Sequence, residues 1–155
     1  MKKFFNYKGL ALEVTLKDGK VVSADIDLDI NLKSSSTYEN ISYEDMLGYN
    51  IDYSIFSPFE KDVLKKVREI PEGRVMTYRD LAEAVGNEKA FRAVGNTLAK
   101  NPFPIFIPCH RVIKSDLTFG NYSKGGPVIK RILLKGEGIK FRGNRVERNF
   151  LKRVL

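Results

Sequence analysis

The sequence holds one cysteine and one histidine, and they are neighbours: Cys109 and His110 lie in the run Ile105-Phe106-Ile107-Pro108-Cys109-His110-Arg111-Val112. A thiol attacks as its thiolate, and an imidazole is the side chain best suited to take its proton near neutral pH. A lone cysteine is more often a small buried hydrophobe, so its context decides. Here Pro102, Pro104 and Pro108 bracket the segment, stiffening the backbone and fixing where the thiol is delivered. Successive side chains of an extended segment point to opposite sides, which keeps the His110 ring off the Cys109 sulfur and requires a bridging water. A carboxylate behind the ring would set its tautomer and stabilise the imidazolium; Glu137, after the last helical pattern, is the candidate. One Cys and one His exclude an internal disulfide and a closed Cys/His zinc site, so no metal is expected.

The elements that must position these groups are legible in part. Leu10, Leu12, Val14 and Leu16 alternate with polar residues, as do Ala24, Ile26, Leu28, Ile30 and Leu32, and Asp18-Gly19 between the runs predicts a hairpin turn. Asp25, Asp27 and Asp29 share the outer face, where they are either the wet side of the strand or a place for a hard cation. Residues 33 to 54 read as a polar loop with a short helix, ending in a domain boundary near Ser54. Ser57-Pro58-Phe59-Glu60 is a capping box that opens a helix with Phe59, Val63, Leu64 and Val67 inward. Thr77-Tyr78-Arg79-Asp80 opens a second, with Leu81, Ala82 and Val85 inward and Gly86 as its stop. Asn87 caps a third over 88 to 100, with Phe91, Val94 and Leu98 at helical spacing.

The last two helices read as a helix-turn-helix, although any compact helical hairpin gives the same pattern. The third helix carries the small residues Ala90, Ala93 and Gly95 with Arg92 among them, a face that lets a backbone approach a duplex while an Arg enters the base stack. Gly126-Pro127, then Ile129, Ile132 and Leu133, then Gly136 specify a further helix, and residues 139 to 146 a small hairpin. The tail through Leu155 is basic.

Charge divides with the chain. Residues 1 to 54 carry 6 Lys/Arg against 9 Asp/Glu, net −3, and residues 55 to 155 carry 21 against 10, net +11. Such asymmetry suits a polyanionic partner for the second part, and equally a solvated basic surface. No run of 18 apolar residues is present and the start lacks a secretory pattern, so a soluble, intracellular protein without a membrane partner is expected.

Pro108-Cys109-His110-Arg111-Val112, with Arg92-Ala93-Val94-Gly95 and Asn101-Pro102 before it and Gly120-Asn121-Tyr122-Ser123 and Leu133-Leu134-Lys135-Gly136-Glu137-Gly138 after it, resembles the O6-alkylguanine-DNA alkyltransferases. The resemblance runs from about Phe59 to Gly138. It implies an α+β fold: a small N-terminal α/β domain of ribonuclease-H-like shape over 1–54, then a mainly helical DNA-binding domain with a helix-turn-helix over 55–155. It implies DNA repair by stoichiometric, irreversible transfer of a methyl or small alkyl group to the protein's own cysteine. The donor is O6 of guanine in double-stranded DNA, with O4 of thymine as a second candidate.

By the same resemblance Cys109 is the acceptor, His110 deprotonates it through water, Glu137 orients His110, and Tyr78 donates to N3 of the leaving guanine. Arg92 fills the gap left by the flipped nucleotide, from a helix set in the minor groove. Asn101 ties that helix to the cysteine segment. The base pocket is expected from Tyr78, Pro104, Val112, Asn121, Tyr122 and Ser123. No cofactor is implied, the protein is expected as a monomer, and its place is the cytoplasm, or the nucleus in a eukaryote.

Three departures stand out. Phe91 is bulky before Arg92, facing either the core or DNA; the 122–127 loop is one residue longer than the common pattern; and residues 1–54 carry no motif. Other classes remain in view: a lesion binder without transfer, which Cys109 argues against; a helix-turn-helix regulator with a redox-sensing thiol; and a thiol hydrolase.

Overall fold

Alternation in the first part becomes a sheet. In the computed structural model, which describes residues 1–27 and 38–152, β1 (Lys2–Tyr7), β2 (Leu10–Lys17) and β3 (Lys20–Asp27) form an antiparallel meander. Asp18 and Gly19 have φ of 52° and 76°, so the Asp-Gly turn takes the doubly positive form whose twist matches a hairpin. Lys8 and Gly9, at 52° and 87°, repeat it between β1 and β2. A bulge at Thr15/Leu16 inserts a residue, which is why Val21 and Ala24, three apart, both point inward. The expected continuation through Leu28, Ile30 and Leu32, with Asp29, lies outside the described residues. No cluster of three metal-ligating side chains occurs among those described.

β1 is absent from the sequence expectations because Phe4, 37% exposed, occupies its outer face and breaks the alternation of buried Phe5 and Tyr7. β4 (Glu39–Asn40) pairs parallel with β1 and β5 (Asn50–Ile51) parallel with β3, giving the order β4-β1-β2-β3-β5. Between them the expected short helix is α1 (Tyr43–Leu47), closed by a Ser42/Asp45 capping box.

The Ser57/Glu60 box starts α2 (Pro58–Arg68), whose Val63, Leu64 and Val67 are buried and whose Phe59 is half-buried. Such a cap is worth about 1 kcal/mol. β6 (Met76–Thr77) leads into α3 (Tyr78–Ala84), capped by the Thr77 side chain. Gly86, at φ 94°, ends the turn after it. Asn87 caps a 3-10 turn, Glu88–Ala90, before α4 (Phe91–Ala99). Val94 and Leu98 are buried as expected; Phe91 is 39% exposed and is not a core residue.

β7 (Val112–Ile113) pairs parallel with β6. α5 (Gly126–Gly136) is the further helix expected; it buries Lys130, Leu133 and Leu134, while Ile132 is exposed. β8 (Phe141–Arg142) and β9 (Arg145–Val146) form the expected hairpin, and Leu151 bridges back to Val75, so the described part of the tail packs. One apolar core runs from Phe5, Leu12 and Val14 of the sheet through Val63, Leu64 and Leu81 to Phe106 and Cys109. The chain boundary near Ser54 therefore crosses a shared interior. No described helix is long and apolar enough to cross a membrane.

Candidate active site

The prolines place Cys109 through two tight turns. Phe106 N–H donates to the Pro104 carbonyl at 2.9 Å around Ile105, which sits at φ 72°, a conformation β-branched residues seldom adopt. Cys109 N–H then donates to the Ile107 carbonyl at 2.8 Å around Pro108, whose φ of −80° and ψ of 64° are those of an inverse γ-turn. The segment Cys109–Arg111 is a 3-10 turn, not the extended run expected. Its side chains fan around the turn axis instead of alternating. Asn101, fully buried, ties this loop to the end of α4: its amide donates to the Ile107 carbonyl at 3.0 Å and to Cys109 Sγ at 3.3 Å, and its Oδ1 accepts from Phe103 N–H at 2.9 Å.

Behind the thiol, His110 Nε2 lies 3.1 Å from both oxygens of Glu137. Both side chains are sealed from solvent. Burial lowers the imidazole pKa despite the carboxylate beside it, so the ring is neutral at neutral pH. Nε2–H then donates to Glu137, and Nδ1, which has no protein partner, presents its lone pair. Burial opposes the charge on Glu137, but the imidazole and the Arg111 guanidinium hold its carboxyl well below the usual carboxylate range. Arg111 binds it in a fork, Nε to Oε1 at 2.9 Å and Nη2 to Oε2 at 2.7 Å, while Nη1 donates to the Ile70 carbonyl at 2.7 Å.

Burial raises the Cys109 thiol pKa, and the Asn101 amide and the Lys130 ammonium counter it in part. Lys130, pushed down to about 8 by burial, donates to the Val112 and Phe119 carbonyls and so straps α5 to the two segments flanking the thiol.

Cys109 lines a cleft of about 740 Å³. Tyr78, Asn121, Tyr122 and Ser123 share its wall, with Arg79, Phe91 and Lys114. The Tyr78 hydroxyl sits against Gly120, where a Cβ would come within 3.2 Å of it. Burial, then the neighbouring Cys109, push its pKa up to about 12, so it is a proton donor at neutral pH. Tyr122 is buried with its ring edge-on to His110. Pro104 and Val112 are not on this wall: Pro104 is buried within the γ-turn and Val112 faces the core from β7. On α4, Gly95 reaches the cleft, whereas Ala93 and Arg92 lie on the exposed face and Ala90 is half-buried before it.

Residues 58–139 match the family model of the 6-O-methylguanine DNA methyltransferase DNA-binding domain, just over half of the chain. The chain belongs to the 6-O-methylguanine DNA methyltransferase family. A methylated-DNA–protein-cysteine methyltransferase of Rattus norvegicus is 50% identical over 82 residues, which are 52% of this chain and 39% of that protein. The aligned stretch is thus well under half of the relative's length. The crystal structure of O6-methylguanine-DNA methyltransferase from Pyrococcus kodakaraensis KOD1 superposes with a TM-score of 0.68 at 26% identity, over 89% of this chain and 98% of that one. Mycobacterium tuberculosis OGT in complex with DNA shares the fold, with a TM-score of 0.68 at 24% identity over 88% and 91%. The α+β architecture is therefore that of the methyltransferase family.

Three groups of this site escape a reading of the sequence. Arg111 stands beside His110 in the recognised pentapeptide, but nothing local says that it turns inward onto Glu137. Lys130 looks like a solvated helix residue until its neighbours Leu133 and Leu134 fix which face is buried. Tyr7, whose hydroxyl reaches Glu137, is separated from it by 130 positions. The pairing of Lys130 with a buried stripe was the one available signal.

Proposed function

We propose that the protein repairs DNA by taking a methyl or other small alkyl group from O6 of guanine in a duplex onto Cys109, in one irreversible turnover and without a cofactor. The observation that carries this reading is a sulfur recessed in a cleft ample for a purine, with an amide donor on it and a carboxylate-held imidazole on the next residue. A stacked guanine cannot offer O6 to such a sulfur, so the nucleotide must swing out of the helix.

The Cys109 proton passes through a water to His110 Nδ1, and Nε2–H stays on Glu137. The thiolate attacks the alkyl carbon, the S–C bond forms as the C–O6 bond breaks, and the electron pair stays on the purine. Tyr78 gives its proton to N3, neutralising the leaving guanine. A thiol held mostly protonated until the imidazole acts suits a protein that reacts once. It argues against a redox sensor, which needs an open, acidic thiol.

Arg92 has no partner among the described residues and is read as the finger that replaces the flipped base, with Ala90, Ala93 and Gly95 as the surface that admits the duplex. Asn121, Tyr122 and Ser123 are read as the far wall of the base pocket, and Asn101 as the hinge. Residues 1–54 act as the supporting unit and 55–155 as the DNA-facing one, in a monomer that works wherever its DNA lies.

Incubation with a duplex containing O6-methylguanine, followed by intact mass, is expected to show a gain of one methyl mapped to Cys109. Folded protein that gains nothing refutes the proposal. Cys109→Ser is expected to bind the same duplex and gain nothing.

A further inference from the structure

Glu137 is held from two directions. His110 and Arg111 reach it from the 3-10 turn, within the stretch that matches the family model. The third partner comes from outside that stretch: Tyr7, on β1, is fully buried and donates its hydroxyl to Glu137 Oε2. The same hydroxyl oxygen lies 3.1 Å from Glu72 Oε1, and Glu72 pairs with Lys8 at 2.9 Å. A phenol has one proton to give, and the closer contact, to Glu137, takes it. Burial, then the Glu137 charge, push the Tyr7 pKa far above that of a free phenol, so it donates at every working pH.

We infer that Tyr7 is a positioning residue for the proposed alkyl transfer: its hydroxyl fixes the Glu137 carboxylate that holds His110, so the N-terminal sheet completes the relay behind Cys109. The inference rests on the function proposed above. A hydrogen bond into a carboxylate draws charge from its oxygens and weakens their pull on the imidazole N–H. His110 must be neutral to accept the thiol proton, and a carboxylate stripped of this donor favours the imidazolium instead. The charged and titratable groups facing Glu137 are His110 and Arg111 from the turn, Tyr43 from α1, Tyr122 from the loop before α5, and Tyr7 from β1 with Glu72 and Lys8 beyond it, while Lys130 of α5 acts on His110 itself. Of these, Tyr7 alone supplies a donor without adding charge at the oxygen that His110 shares.

Because the chain has a single histidine, its Nε2–H resonance in ¹⁵N-labelled protein is unambiguous. Tyr7→Phe keeps the buried ring and removes one oxygen. It is expected to move that resonance downfield at fixed neutral pH and to raise the His110 midpoint by about one unit. The acid limb of methyl transfer from O6-methylguanine duplex should move with it, so that transfer at a pH on that limb slows about tenfold. Site-specific 3,5-difluorotyrosine at position 7, a stronger donor, is expected to shift both readouts the opposite way, and it decides the matter if Tyr7→Phe does not fold. A folded variant whose resonance and acid limb both stay put overturns the inference, whatever its thermal stability. If neither wild type nor variant transfers methyl while the resonance still moves, the proposed function fails and the positioning of His110 by Tyr7 is upheld.

Discussion

Arg111 moves no proton in the proposed chemistry, yet its loss is the one the site tolerates least. Its guanidinium and the Glu137 carboxylate are both sealed from water, and its third donor and the Tyr43 ring, 4.0 Å away, leave no face of it unused. Removing one partner of such a pair strands a buried charge, at about 3–5 kcal/mol. Arg111→Met should lose about that much stability at neutral pH in chemical denaturation. Arg111→Lys should recover little, since a point charge cannot make two parallel bonds and reach the Ile70 carbonyl as well. The sign of the pH dependence follows from Glu137, whose folded pKa lies below its ordinary 4.5. The unfolded chain takes the proton first, so the ion pair's contribution is complete above that value and is lost as the pH falls through the folded pKa. The deficit of Arg111→Met relative to wild type should accordingly be largest at neutral pH and shrink as the pH falls, beginning above the ordinary 4.5, because burial raises the stranded carboxylate of the variant and lets it become neutral first. A deficit independent of pH would assign Arg111 to packing alone.

At the scale of elements, α4 carries features that its own packing does not need. A Cβ on Gly95 would meet nothing within 4 Å, and a helix-interior glycine costs about 1 kcal/mol against alanine. Packing within the protein therefore does not call for glycine at this position, whereas the proposed duplex pressed against this face would. Arg92→Ala should slow transfer from duplex O6-methylguanine about tenfold, equivalent to about 1.4 kcal/mol of extrusion cost, and leave transfer from the free base nearly unchanged. Equal losses on both substrates would remove the finger role.

Legibility varied by element for physical reasons. The capping box of α2 and the caps of α3 and of the 3-10 turn before α4 are local chemistry, so Ser57, Thr77 and Asn87 announce themselves. The turn at Cys109 does not, because the closely spaced Pro102, Pro104 and Pro108 read as extended chain until the hydrogen bonds around Ile105 and Pro108 are seen. Cys109 and His110 were within reach because the sequence offers no other cysteine or histidine, and Glu137 because it directly follows the last helical pattern. Arg111 and Tyr7 were not, since Arg111 turns onto Glu137 and the Ile70 carbonyl across the fold and Tyr7 meets Glu137 only after the sheet docks.

That docking is a property of the whole molecule. The net −3 of residues 1–54 and net +11 of residues 55–155 suggest two units, yet the interior does not respect the division. Ala24 N–H donates to the Pro102 carbonyl at 2.9 Å, the Tyr43 hydroxyl to the Arg68 carbonyl at 2.6 Å, and Arg68 to the Met46 and Tyr49 carbonyls. Tyr49 meets Phe106 edge to face within the loop that delivers the thiol. Pulling the sheet away would expose the inner faces of β2 and α2 together and leave Arg68 and Glu137 short of partners, so the two parts should melt as one. Leu12→Ala, at a fully buried position on β2, is expected to cost about 2–5 kcal/mol. That loss should lower, by the same amount, the midpoint read from far-ultraviolet helix signal, which comes mostly from residues 55–155, and the midpoint read from the His110 resonance. A helix midpoint that stays in place while the sheet weakens would show two independently folding units, and the relay would then have to stand without Tyr7.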